Sequence, residues 1–313
     1  MNYRPLGKSG IRVSLVGLGC NNLGMRIDLE ESRKVVDKAL DLGINLFDTA
    51  DIYGKRGGSE TILGQLLGNR RKEIVLATKF GGPMNDEGTM RGAARSYILS
   101  EVEASLKRLK TDWIDLYQIH FPDPKTPMEE TLRALDELVR QGKVRHIGCS
   151  NHPAWKVVDA LWISRHFGLN AFVSCQDEYS LLVRGAEREL FPMLQQFDLG
   201  LLPYFPLASG LLTGKYQRNS PAPADTRFSA WKVLSDRYAT DTNWQIVERL
   251  LSFCERRGHS LLELAFSWLA ARPAVSSIIA GATKPEQVEQ NAAAVNWTLT
   301  PEDSSEVDRL TAK

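Results

Sequence analysis

The sequence predicts an α/β fold of the (β/α)8, or TIM-barrel, class, and three observations predict it. Short apolar runs alternate with amphipathic stretches along almost the whole chain. The runs are rich in Val, Ile and Leu, which suits parallel strands covered on both faces. No linker or low-complexity segment divides the 313 residues, so one barrel domain over 1–313 is expected.

The elements follow in order. Residues 1–12 are expected to form a hairpin that turns at Gly7-Lys8-Ser9-Gly10. Eight strands are read at Leu15–Leu18, Ile44–Phe47, Ile74–Ala77, Ile114–Ile119, Val144–Gly148, Ala171–Cys175, Leu199–Tyr204 and Ser276–Ala280. Helices are read at Leu29–Leu42, Ala94–Leu109, Thr126–Arg140, Pro153–Phe167, Glu187–Phe197, Asn243–Arg257 and Lys284–Ala294. Gly43 suits the position after the first of these. Thr126-Pro127-Met128-Glu129 reads as a capping box with Pro127 in the first helical position. An extra helix spans 260–272, opened by the box Ser260–Glu263 and stopped by Pro273. Thr300-Pro301-Glu302-Asp303 starts a last helix. The long polar stretch Ala208–Thr242 reads as a lid or binding loop.

Composition narrows the function. Lys and Arg total 39 against 38 Asp and Glu, a net of +1, which gives no electrostatic footprint for nucleic acid or an anionic membrane. No apolar run reaches membrane-spanning length, and Met1–Gly10 has no leader core. Cys20, Cys149, Cys175 and Cys254 show no metal spacing and read as reduced core thiols of a cytoplasmic protein. The five histidines contain no His-Glu-x-x-His, so no metal is expected. No long exposed apolar stripe for a partner is visible, and the oligomeric state stays open.

In a barrel of this class, chemistry sits where the strands end. The second run ends at Asp48, with Tyr53 in its loop. The third ends at Lys79 and the fourth at His120. The next ends bring Ser150 with Asn151, Gln176 and Tyr204, and the last brings Gly281, Thr283 and Lys284. Each has a plainer reading. Asp48 could cap a helix, and Lys79 could be a surface lysine. Ser150 and Asn151 could cap the helix after Pro153, and Thr283 could cap its own helix with Glu286. Together they suit one mechanism. Reduction of a carbonyl by hydride requires a proton for the developing alkoxide. A phenol supplies it, a lysine cation favours its phenolate, a paired aspartate holds the lysine, and a histidine orients the carbonyl.

At this point the sequence resembles the aldo-keto reductase family. The matching segments are Phe47-Asp48-Thr49-Ala50-Asp51-Ile52-Tyr53, Thr78-Lys79-Phe80, Tyr117-Gln118-Ile119-His120, Gly148-Cys149-Ser150-Asn151, Tyr204-Phe205-Pro206-Leu207 and Gly281-Ala282-Thr283-Lys284-Pro285-Glu286-Gln287. The opening residues and Gly210–Tyr216 resemble its bacterial and potassium-channel β-subunit-like branches. The resemblance implies Tyr53 as general acid and base, tuned by Lys79 and Asp48, with His120 placing the carbonyl. It implies Ser150, Asn151 and Gln176 on the nicotinamide carboxamide and Tyr204 on its ring. Leu207 to Tyr216, with Gly210 and Lys215, would cross the pyrophosphate. Phe205 departs from the serine of many relatives and removes a hydroxyl near the ribose or phosphate.

Thr283, Gln287 and Asn291 are spaced by four and share a helix face. Lys284 adds a cation at that helix's N-terminus, where the helix dipole also favours an anion. NADP(H) is therefore expected over NAD. Gly17-Leu18-Gly19 is a decoy, because Asn22 stands where the dinucleotide motif needs its third glycine; these glycines are expected to let the first loop pass close to the substrate mouth. Asn22, Met25, Phe80, Phe121, His152 and Trp231 suggest a partly aromatic substrate pocket. Two functions from different classes follow. One is an oxidoreductase acting on an aldehyde, ketone, sugar or other alcohol. The other is an NADP-binding, redox-sensing regulatory subunit that docks on a partner. A barrel with metal-dependent chemistry is a third, which the lack of a ligand cluster opposes.

Overall fold

The structure, a computed structural model, describes residues 1–312. The expected hairpin is present: β1 (Tyr3–Pro5) pairs antiparallel with β2 (Arg12–Ser14). The barrel then alternates through β3 (Val16–Gly19), α1 (Leu29–Asp41), β4 (Leu46–Asp48), α2 (Tyr53–Leu66), β5 (Val75–Phe80), α3 (Arg95–Leu109), β6 (Ile114–Ile119), α4 (Met128–Arg140), β7 (Val144–Ser150), α5 (Ala154–Phe167), β8 (Phe172–Gln176), α6 (Leu190–Phe197) and β9 (Gly200–Leu201). A long crossing follows, with a tight turn at Ala208–Thr213, α7 (Arg227–Ala230) and α8 (Lys232–Tyr238). The chain closes through α9 (Asp241–Arg257), α10 (Leu261–Ala270), β10 (Ile278–Gly281), α11 (Pro285–Ala293) and α12 (Pro301–Leu310).

The eight barrel strands lie in the order β10-β3-β4-β5-β6-β7-β8-β9, parallel throughout. The last seam is joined by Leu201 N to Ala274 O (2.8 Å), Ser276 N to Leu201 O (2.9 Å) and Ile279 N to Pro203 O (3.0 Å). Closure removes both sheet edges and sends every strand's C-terminal end to one mouth.

Two apolar layers hold this together. Leu46, Ala77, Leu116, Val173, Leu202 and Ile279 fill the barrel interior, joined by Leu6 and Val13 of the hairpin. Gly7 sits so close to Val173 O and Gly200 N that no side chain fits there. The hairpin therefore plugs the N-terminal end, and burial of Leu6 alone stabilises by about 2 kcal/mol. The larger layer lies between strands and helices, where Cys20, Cys149, Cys175 and Cys254 are free and buried. Gly17 is part of that economy of space: a Cβ would lie 2.9 Å from Ser277 Oγ and 3.1 Å from Leu46.

Several local expectations are corrected. Helix α2 was not foreseen. It opens with a left-handed turn through Gly54, Lys55, Arg56 and Gly57, so its start has no helical pattern. The box at Thr126 does not form. Thr126 Oγ1 donates to Asp123 instead, and Pro127 takes the N-cap position. Helix α6 begins at Leu190, which keeps Pro192 in the first turn, where it is tolerated. The box Ser260–Glu263 is present as expected. The stretch 208–242 is not all loop, because α7 and α8 interrupt it. Helix α5 exposes Trp155, Trp162 and Phe167, each with an Arg or Lys side chain over its ring. Among the described residues no helix is long and apolar enough to cross a membrane.

Candidate active site

At the C-terminal mouth lies a cavity of about 620 Å³. Its floor is built by strand ends. Lys79, on β5, is fully buried beneath Tyr53 rather than lining the cavity. Its Nζ donates to Asp48 Oδ2 (2.6 Å), to Thr49 O (2.9 Å) and to Tyr53 Oη (3.5 Å). Asp48 Oδ1 accepts from Gln176 Nε2 (2.8 Å) and Gln118 Nε2 (3.3 Å). A buried carboxylate with this many donors keeps one orientation. Tyr53 and His120 meet edge to face, ring centres 5.6 Å apart, and Phe121 stacks on His120 at 4.3 Å.

The protonation states follow from burial and neighbours. Burial works to lower the Lys79 pKa, but the Asp48 and Tyr53 charges and their hydrogen bonds outweigh it, so the ammonium is held above its usual range. Burial pushes the Tyr53 phenol up; Lys79 opposes this and Asp48 adds to it. The lysine therefore acts in the expected direction, but the net direction is upward because burial is larger. Burial, then Lys79, drives His120 well below the usual imidazole value, which leaves it neutral. Its Nδ1 is buried without a hydrogen-bond partner.

One wall runs along β7, β8 and the segment after β9. Ser150 Oγ donates to Gln176 O (2.7 Å). Asn151, in a left-handed conformation that asparagine tolerates, donates to His120 O (3.0 Å) and accepts from Tyr204 Oη (2.7 Å). Helix α5 has no side-chain cap, so neither Ser150 nor Asn151 serves as one. Leu207, Gly210 and Lys215 line the next part. On the facing side, Gly281, Thr283, Gln287 and Asn291 line the cavity, along with Gly19 and Asn22 of the first loop. Gln287 Oε1 accepts from Thr283 N (2.8 Å) and Oγ1 (3.2 Å), so Gln287, not Glu286, closes the start of α11.

Five residues named from the sequence lie elsewhere. Phe80 is buried against Tyr117 in the core. His152 is buried with Nδ1 on Ser150 O (2.8 Å). Met25 is exposed, and Lys284, exposed at the start of α11, is next to Thr283 but is not itself part of the cavity lining. Trp231 does not line the cavity; Arg26 lies over its ring.

Sequence reading missed Arg26, Ser209 and Arg227, all of which line the cavity. Arg26 donates to Asp225 O (2.7 Å), linking the first loop to the long crossing. Among the described residues neither Lys215 nor Arg227 pairs with a carboxylate, and burial lowers both pKa values. Ser209 Oγ is buried with no partner, and its backbone and those of Ala208 and Gly210 are left-handed. Ala208 N and Gly210 N are spent on Phe205 O (2.9 Å) and Leu207 O (2.8 Å), which fixes this tight turn. Arg26, Ser209 and Arg227 sit in short segments without periodicity, Arg227 at the start of the four-residue α7; the one visible signal was the density of Arg and Lys between 215 and 227.

The aldo/keto reductase family profile matches residues 15–312. A probable voltage-gated potassium channel subunit beta from Oryza sativa subsp. japonica is 37% identical, covering 96% of this chain and 94% of its own length. The oxidoreductase YrpG of Bacillus subtilis (strain 168) is 36% identical, covering 96% and 93%. L-Glyceraldehyde 3-phosphate reductase of Escherichia coli (strain K12) is 34% identical, covering 99% and 92%. The chain belongs to the aldo/keto reductase family.

Proposed function

We propose that this chain is an NADP(H)-dependent oxidoreductase that moves hydride between nicotinamide and a carbonyl or alcohol carbon. Tyr53 is the general acid in reduction and the general base in oxidation. The observation that carries the reading is the sealed Lys79 ammonium, in contact with both Asp48 and the Tyr53 hydroxyl.

The residues present fit the cofactor. Arg26, Lys215 and Arg227 give the cavity three cations, with Asp225 at its rim, and the Ser209 hydroxyl awaits a partner. An excess of cations in a cleft suits a ligand with several phosphate charges, which favours NADP over NAD. Ser150, Asn151, Gln176 and Tyr204 would hold the nicotinamide end. Leu207, Gly210, Lys215 and Gly281 would face the pyrophosphate, and Thr283, Gln287 and Asn291 the adenosine phosphate. Lys284, exposed beside Thr283 at the start of α11, would add a cation at that end. When bound, NADPH supplies the hydride.

The protein's own part is proton management. Tyr53 holds its proton through neutral pH, as burial requires. Neutral His120 beside it offers a hydrogen bond to the substrate oxygen. As the phenol gives up its proton, the ammonium 3.5 Å away compensates the phenolate charge. Positioned general acids of this kind contribute roughly 10²- to 10⁴-fold. Phe121 and Ile52 line the substrate side, which suits a small or medium carbonyl compound, whereas Asn22, donating to Ala282 O, lies beside Gly281.

A panel of aldehydes, ketones and sugars mixed with the protein and NADPH tests this by loss of NADPH absorbance. Turnover with at least one aldehyde, and weaker use of NADH, is expected. Tight NADPH binding with no oxidation by any substrate would defeat it. The β-subunit names of relatives favour a second reading, a regulatory subunit; stable capture of a partner with negligible turnover would support that instead.

A further inference from the structure

Phe205 stands in the cavity wall with a left-handed backbone, φ 50°. Bulky L-residues rarely adopt that conformation, so the surroundings must hold it. Tyr204 meets the ring edge-on at 5.3 Å and Tyr238 at 6.3 Å. On its face lies the Arg227 guanidinium, 5.6 Å from the ring centre. That guanidinium is partly buried in the cavity wall and makes no hydrogen bond among the described residues. Arg26 repels it as well. Opposite, Gly281 leaves it room: a Cβ there would come within 3.1 Å of the Arg227 guanidinium.

A partly desolvated cation without a carboxylate carries a cost, and an aromatic face offsets part of it without neutralising the charge. A carboxylate would hold Arg227 as firmly but would cancel its attraction for an anion. We infer that Phe205 is a positioning residue: its ring carries Arg227 into the cavity and keeps it available for a phosphate of the cofactor. Phenylalanine brings no donor of its own here, so its contribution to phosphate binding passes through Arg227. This rests on the cofactor reading above.

The test is a double-mutant cycle read by calorimetry, with NADPH and with 2′-phospho-ADP-ribose, which lacks the nicotinamide. Phe205→Met should weaken 2′-phospho-ADP-ribose roughly three- to thirtyfold. Phe205→Tyr, which keeps the aromatic face, should bind as the unaltered protein does. In an Arg227→Met background the Phe205→Met change should have no further effect. An equal loss in both backgrounds, or no loss in either, would overturn the inference. Should Phe205→Met fail to fold, Phe205→Leu enters the same cycle. Failure of the unaltered protein to bind either ligand is a separate result, and it would remove the cofactor reading and this inference together.

Discussion

Lys79 and Asp48 illustrate how much a single buried pair is asked to do. Both are out of water, so their attraction is strong and each depends on the other. Lys79→Met leaves the Asp48 carboxylate buried without its counterion, which should destabilise the fold by roughly 3–5 kcal/mol as well as stop turnover. Adding Asp48→Asn should recover much of the melting temperature and none of the activity. Recovery of activity in the double variant would show that the lysine is structural only. Asp177 is a half-buried carboxyl, beside Gln176 but outside the cavity lining. Its Oδ2 has no partner, and burial pushes its pKa up to about 7 from an ordinary 3.8. The unfolded chain therefore releases this proton first, and stability falls as pH rises from about 4 to about 7. Asp177→Asn should melt higher than the unaltered protein at pH 8, with the gain shrinking to nothing near pH 4. A gain independent of pH would mean that Asp177 is not held neutral by the fold.

At the level of elements, the unforeseen α2 explains how Tyr53 is aimed. Its hydroxyl side is fixed by Lys79, and its backbone by the left-handed turn that follows. Behind that turn, Ser59 Oγ donates to Cys20 O (2.8 Å), and Glu60 bridges Thr78 (2.5 Å) and Arg108 (2.6 Å). Gly54, at φ 66°, has Ser59 N 2.4 Å and Leu23 O 2.6 Å from where a Cβ would lie. Both are backbone atoms and cannot yield cheaply. Gly54→Ala should lower stability by roughly 2–4 kcal/mol, from left-handed strain plus overpacking. It should also lower turnover at temperatures where the protein stays folded. Unchanged turnover and melting would show that the turn is plastic. This element was illegible because four left-handed residues, two of them charged, carry no helical period. The strands, by contrast, were legible as apolar runs, since each is covered on both faces. Boundaries slipped where a run outlasts its ladder, as in Leu199–Tyr204, of which the strand keeps Gly200–Leu201.

Across the whole molecule, closure of the barrel turns sequence distance into contact. Asp48, Tyr53, Lys79 and His120 come from three successive strand ends, and Gln176, 128 residues from Asp48, donates to it. Their convergence was readable because strand ends are fixed by the class of fold. What the loops do was not. Arg26 and Arg227 reach the cavity from segments without periodicity. The direction of a long side chain in such a segment is set by tertiary contacts that sequence does not display.

The central claim is that the Tyr53 hydroxyl transfers the proton, held by Lys79, in a cavity that binds NADP(H) independently of it. Turnover of Tyr53→Phe at saturating NADPH, against the best aldehyde found, tests it most directly. Loss of at least two orders of magnitude in kcat, with NADPH affinity within about twofold of the unaltered protein, is the predicted result. A Tyr53→Phe protein that reduces the aldehyde at the unaltered rate would contradict it.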